Sequence, residues 1–255
     1  MERKIYFIGA GPGDPELITV KGKRLIDDAD VIIYAGSLVN PDVLSGAKPS
    51  AVIHNSAYLN LDEVVDIIKE AVGKGLKVVR VHTGDPAIYG AIREQLDRME
   101  ELGIEYEIVP GVSSFLATAA VLKKEYTLPE VSQTIILTRM EGRTPVPPKE
   151  SLLDLARHNS TMVIFLSIAF IEEMCSILIE GGYDPKTPVA VVFKATWPDQ
   201  KILHGDLTDI AKKVKDEKIE KTALTVVGKF LGDEYALSKL YDKNFTTGYR
   251  KGLAD

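Results

Sequence analysis

Short apolar runs ending in glycine or proline alternate with segments of helical period along the first half of this 255-residue chain, and that alternation leaves few folds open. Residues 5–8, 31–34, 76–81 and 104–109 read as strands, those at 5–8 and 76–81 as buried parallel ones. Residues 19–29, 61–72, 89–102 and 115–122 read as helices. In the second of these, Leu61, Val64, Val65, Ile68 and Val72 share one face, and Asn60 with Glu63 three residues on suits a capping box. Strands separated by helices pair in parallel through right-handed crossovers. The second half repeats the theme with strands at 134–138, 162–166, 189–193 and 223–227. Helices at 152–157 and 168–180 lie among them, and one that carries Leu207, Ile210, Ala211 and Val214 follows a hairpin-like stretch at 201–204. The expected class is α/β: two α/β domains with mainly parallel sheets, over 1–122 and 123–255, the second with an extended tail. The polar, proline-stopped stretch 123–129 divides them.

Charge and composition remove several function classes. The formal net charge is -6, whereas a protein gripping many phosphates carries a basic excess, so no nucleic-acid partner is expected. A single cysteine, Cys175, forms no intrachain disulfide, and His54, His82, His158 and His204 are scattered, so no metal site is expected. The apolar stretch near the start is too short for a signal-peptide core, and the run 162–171 is half a membrane span. These readings give a cytoplasmic protein with no membrane partner.

Three glycine-bearing loops follow strands. The first is Gly9-Ala10-Gly11-Pro12-Gly13-Asp14-Pro15, where glycines let a ligand approach the main chain. A dinucleotide fingerprint would need glycine at position 14, and Pro12 and Pro15 remove N–H groups that a phosphate wants. The second runs from His82 through Thr83-Gly84-Asp85-Pro86-Ala87-Ile88-Tyr89-Gly90; Asp85 can accept from ribose hydroxyls or cap the helix that follows. The third, Pro110-Gly111-Val112-Ser113-Ser114, offers small hydroxyl side chains to a ligand or to a helix start. Ligands of parallel sheets sit at the carboxyl ends of strands. Together the loops suit a nucleoside bearing no phosphate, and S-adenosylmethionine answers that description.

At these positions the chain resembles the tetrapyrrole (corrin and sirohaem) methylase family. GAGPGDP with the following LIT-x-KG, then TGDP-x-IYG, then PGVSS carry the likeness. Residues 137–147, 193–202 and 239–252 extend it over nearly the whole chain, toward members that methylate a corrin precursor. The resemblance implies a homodimer of two-domain subunits with an active-site cleft between the domains, and S-adenosylmethionine as co-substrate. It carries cofactor contacts onto Pro12, Gly84, Asp85, Ile88, Ser113 and Ser114, with Leu166 and Ala195 from the second domain. Relatives that methylate uroporphyrinogen place an aspartate after the second strand. Here the stretch reads Tyr34-Ala35-Gly36-Ser37-Leu38-Val39-Asn40, so no catalytic base is carried over.

A tetrapyrrole substrate brings several acetates and propionates, which need local cations. Arg139 and Arg143 in the proline-stiffened loop 139–149 are the first choice. Lys194 beside Trp197, and Arg250 and Lys251 in the tail, come second. Trp197, Tyr241, Phe245 and Tyr249 can cover a flat macrocycle or pack the tail onto its own domain. Competing readings are a nicotinamide oxidoreductase using the first glycine loop, a methylase of protein or ribosomal RNA, and a non-catalytic sensor of S-adenosylmethionine.

Overall fold

A computed structural model describes residues 4–253; the charged start at 1–3 and the last two residues of the tail lie outside them. The chain forms two compact units. One runs up to Thr118 and takes in Lys194–Gln200; the other holds Ala119–Phe193 and the chain from Lys201 onward.

The first half of the chain runs β1 (Lys4–Gly9), α1 (Val20–Asp27), β2 (Val31–Tyr34), β3 (Val52–Asn55), α2 (Leu61–Gly73), β4 (Val78–His82), α3 (Arg93–Glu101), β5 (Glu105–Val109) and α4 (Ser114–Leu122). Its sheet has the order β3-β2-β4-β1-β5 with every pairing parallel. The connection after β1 leaves toward β2, and the one after β4 leaves toward β5. The carboxyl ends of β4, β1 and β5 therefore stand side by side where the winding reverses, the place where open α/β sheets bind ligands. Ile5, Phe7, Ile33, Val65, Ile68 and Met99 form the core on one face; Ile8, Ile26, Ile32, Val79 and Val81 form it on the other. Burial on both faces explains why the central strands β2 and β4 read as continuous apolar runs; β5, at the edge, leaves Glu105 and Ile108 exposed. Asn60 and Glu63 close the capping box of α2 reciprocally, at 3.0 and 2.8 Å.

Two details depart from the sequence pattern. β3 is an edge strand whose Val52 and Ile53 are exposed, so burial imposes no pattern on its four residues. α3 begins at Arg93, not at residue 89, because Tyr89 and Ala91 hold left-handed φ of 54° and 48°, which no α-helix admits.

The second half runs β6 (Ile135–Arg139), α5 (Leu152–Ala156), β7 (Thr161–Phe165), α6 (Ile171–Glu180), β8 (Pro188–Phe193), β9 (Lys201–Asp206), α7 (Ile210–Asp216) and β10 (Ala223–Val227). The sheet order is β6-β7-β10-β8-β9. Parallel pairing continues in β6–β7, while β7–β10, β10–β8 and β8–β9 are antiparallel. The β8–β9 hairpin accounts for one reversal, since a short connection can join only antiparallel neighbours. Met162, Ile164, Met174, Leu178, Val189, Val191 and Ile210 fill this unit's core. Beyond β10 the described tail holds only short 3-10 turns, at Lys229–Leu231 and Lys239–Tyr241. Among the described residues, no helix is long and apolar enough to cross a membrane.

Candidate functional site

The three loops expected to bind a ligand meet main chain to main chain. Ala10 N–H donates to His82 C=O at 2.7 Å, Gly11 N–H to Gly84 C=O at 3.2 Å, and Gly84 N–H to Gly11 C=O at 2.8 Å. A Cβ on Gly111 would run into the Gly84 carbonyl and the Gly9 backbone, so the close approach requires glycine. Gly84 itself holds φ of 57°, the left-handed region. Asp85 ties two loops together: Oδ1 accepts from Ala87 N–H and Oδ2 from Gly111 N–H, each at 2.8 Å. It does not cap a helix, since α3 starts only at Arg93. Ile88 N–H returns to Asp85 C=O at 3.2 Å. The carbonyl of buried Ser113 accepts from Leu116 and Ala117 N–H at the start of α4, whose first residue is Ser114.

The first loop is braced by the segment Lys194–Gln200, which the contacts assign to this unit. Trp197 donates its indole N–H to Pro12 C=O at 3.0 Å, and Asp14 N–H donates to Thr196 Oγ1 at 3.0 Å. From the other side, buried Asn40 donates to Gly13 C=O at 2.8 Å. A Cβ on Gly13 would enter the indole ring. Lys194 sits 5.0 Å from the indole centroid and pairs with Asp199 at 2.6 Å. Ala195, expected from the second domain, is buried in this segment of the first unit.

The remaining expected residues belong to the second unit. Leu166, 65% exposed with φ of 54°, follows β7 beside the end of β6. At that end Arg139 turns its guanidinium to the carbonyls of Met140, Thr144 and Pro145, at 3.1, 3.1 and 2.7 Å, and so closes its own loop. Arg143 is exposed in that loop. Arg250 donates to the carbonyls of Leu240 and Asp242, at 3.0 and 2.7 Å, folding the tail; Lys251 is exposed. Tyr241, Phe245 and Tyr249 are exposed, so these aromatics do not bury themselves in their own unit.

Pattern reading gave no role to Asn40, Thr196, Arg80 and Gln95, whose side chains bond around the site, or to the side chain of His82. Arg80 offered a signal, a charge inside the apolar run Val78-Val79-Arg80-Val81. It is 6% exposed, and burial pushes its guanidinium down to about 10. His82, 4% exposed, is held neutral: burial first, and then the nearby Arg80 charge, bring it down to about 3. Its Nε2 has no hydrogen-bond partner.

The N–H groups of the first loop decide what it can hold. Those of Ala10, Gly11 and Asp14 are donated within the protein, Pro12 and Pro15 have none, and only Gly13 keeps its N–H undonated. A 3-10 turn at Pro15–Leu17 follows, capped by Asp14 through Glu16 N–H, instead of an α-helix start. Pyrophosphate recognition needs free N–H groups at a helix N-terminus, which this loop does not offer. What it offers instead is a backbone cradle with carbonyls and one carboxylate.

Comparison with known proteins agrees. The family described as Tetrapyrrole (Corrin/Porphyrin) Methylases matches residues 4–211. The cobalt-precorrin-4 C(11)-methyltransferase of Methanocaldococcus jannaschii is 61% identical over 98% of this chain and 96% of its own. The X-ray structure of a cobalamin biosynthetic enzyme, cobalt precorrin-4 methyltransferase, superposes with a TM-score of 0.89 at 47% identity, covering 91% of this chain and 97% of that one. A uroporphyrin-III C-methyltransferase from Thermus thermophilus, solved with S-adenosylhomocysteine, gives 0.74 at 28% identity over 89% and 93%.

Proposed function

Because the chain belongs to the tetrapyrrole (corrin/porphyrin) methylases, we propose that it moves a methyl group from S-adenosylmethionine to C11 of precorrin-4 or its cobalt form. The product is (cobalt-)precorrin-5A, a step of cobalamin biosynthesis. The observation that carries the donor assignment is how few N–H groups the first loop keeps: across residues 10–15 only Gly13 retains one undonated, and no α-helix start follows, so a phosphate-free nucleoside suits it better than a nicotinamide dinucleotide.

Gly84, Asp85, Ile88, Ser113 and Ser114 are the proposed contacts, with Pro12 and Ala195 beside them and Leu166 from the second unit. Asp85 keeps acceptor capacity on both oxygens after its two main-chain bonds, enough for ribose hydroxyls. The sulfonium supplies an electrophilic methyl, taken by an electron-rich ring carbon while sulfur keeps the bonding pair. The chain's task is to orient and to exclude water; orientation is worth roughly 7–11 kcal/mol in favourable cases. No side chain is assigned as a proton acceptor.

Carboxylates of the tetrapyrrole are assigned to Arg143 first, since Arg139 and Arg250 fasten their own loops and Lys194 pairs with Asp199. Trp197 contributes by shaping the Pro12–Gly13 wall. The proposed working form is a cytoplasmic homodimer, the dimer resting on the family resemblance alone.

Titration calorimetry tests the donor assignment. S-adenosylhomocysteine is expected to bind one per subunit and NAD not at all. Binding of NAD in its place would support the oxidoreductase alternative.

A further inference from the structure

The loop from Asp85 to Ala91 is anchored at its front by Asp85, but its rear is built from two left-handed residues, Tyr89 and Ala91, around Gly90. Left-handed φ in residues bearing a Cβ costs energy and persists only where surrounding structure holds it. Behind this turn lies a buried relay. Arg80 Nε donates to Gln95 Oε1 at 3.1 Å, and Gln95 Nε2 donates to Ala91 C=O at 2.9 Å. Arg80 Nη1 also reaches Ile33 C=O at 3.3 Å. No carboxylate pairs with Arg80 among the described ion pairs, although it is only 6% exposed. A buried cation satisfied only by an amide and by carbonyls is costly to keep for stability alone.

We infer that Arg80 and Gln95 are positioning residues, which hold the rear of the Asp85–Ala91 loop so that Gly84, Asp85 and Ile88 face the methyl donor. The inference rests on the cofactor assignment above and deepens it. Arg80 orients the Gln95 amide: its N–H keeps the Oε1 edge turned inward, which leaves Nε2 directed at Ala91 C=O. Gln95 lies in the first turn of α3, so the same contact fixes where the helix begins.

Gln95→Glu separates this role from plain stability. The new carboxylate still accepts from Arg80, and adds a counter-charge, but it has no N–H for Ala91. The expected result has three parts. The thermal midpoint of the apo-protein stays at or above that of the wild type. Amide exchange of residues 87–92 in the apo-protein rises at least fivefold. KM for S-adenosylmethionine rises about tenfold, with kcat at saturation within twofold. Gln95→Leu should raise KM as much but lower the midpoint. Unchanged exchange at 87–92 in Gln95→Glu overturns the brace, whatever the ligand is. Raised exchange with wild-type KM leaves the brace standing and overturns its role in positioning. Failure of the wild-type protein to bind S-adenosylhomocysteine would strike the cofactor assignment itself, and is read separately in the calorimeter.

Discussion

At the scale of single residues, polar side chains do the joining. Asp85 spends one lone pair of each oxygen on a neighbouring main-chain N–H and keeps the rest. Asp85→Ala removes the acceptor proposed for the ligand and the tie to Gly111 together. A charged hydrogen bond contributes about 1.5–3 kcal/mol, so S-adenosylhomocysteine should bind roughly ten- to a hundredfold more weakly by calorimetry; unchanged affinity would confine Asp85 to loop structure. His82 gives a pH signature. Its folded value, about 3, lies below the ordinary 6.5, so the unfolded chain binds the extra proton between those values. Its stabilising contribution is whole above pH 6.5 and is lost as pH falls toward 3. At about 1.4 kcal/mol per unit, the fall from about pH 7 to about pH 5 costs roughly 2 kcal/mol from this group. His82→Gln should lose correspondingly less over that range in thermal unfolding; an equal loss would contradict the assignment. The motif around Asp85 was legible in the sequence, but its bond to Gly111, 26 residues away, was not, because nothing local records a tertiary hydrogen bond.

At the scale of elements, the central parallel strands β2 and β4 were legible because burial on both faces writes a continuous apolar run. β3 escaped for the converse reason, being an exposed edge. The start of α3 is hidden because apolar spacing persists through Tyr89 and Ala91, where the backbone turns left-handed. The least legible element is the Lys194–Gln200 segment, whose partners Pro12 and Asp14 lie 185 and 182 residues earlier. It makes Gly13 a sensitive position. Gly13→Ala would press a methyl into the indole of Trp197, the chain's single tryptophan. Overpacking of this kind costs about 1–3 kcal/mol. The thermal midpoint should drop and the tryptophan emission should shift to the red as the ring is displaced. An unmoved emission spectrum would show that the brace yields without consequence.

At the scale of the whole molecule, the first unit gathers most of the expected cofactor residues at one switch point, while Leu166 and the loop arginines lie in the second unit. The switch point was implicit in the order of strands and glycine loops. The mixed pairing of the second sheet was not, since an apolar run has no direction. Nor did a list of cations distinguish Arg143, exposed, from Arg139 and Arg250, which close their own turns. The central claim is a methyl transfer to one carbon. Incubation of the purified chain with cobalt-precorrin-4 and S-adenosylmethionine labelled with carbon-13 in its methyl group, followed by NMR of the product, tests it most directly. One new labelled methyl at C11 is the expected result. A label at another ring carbon, or none on the macrocycle, would contradict it.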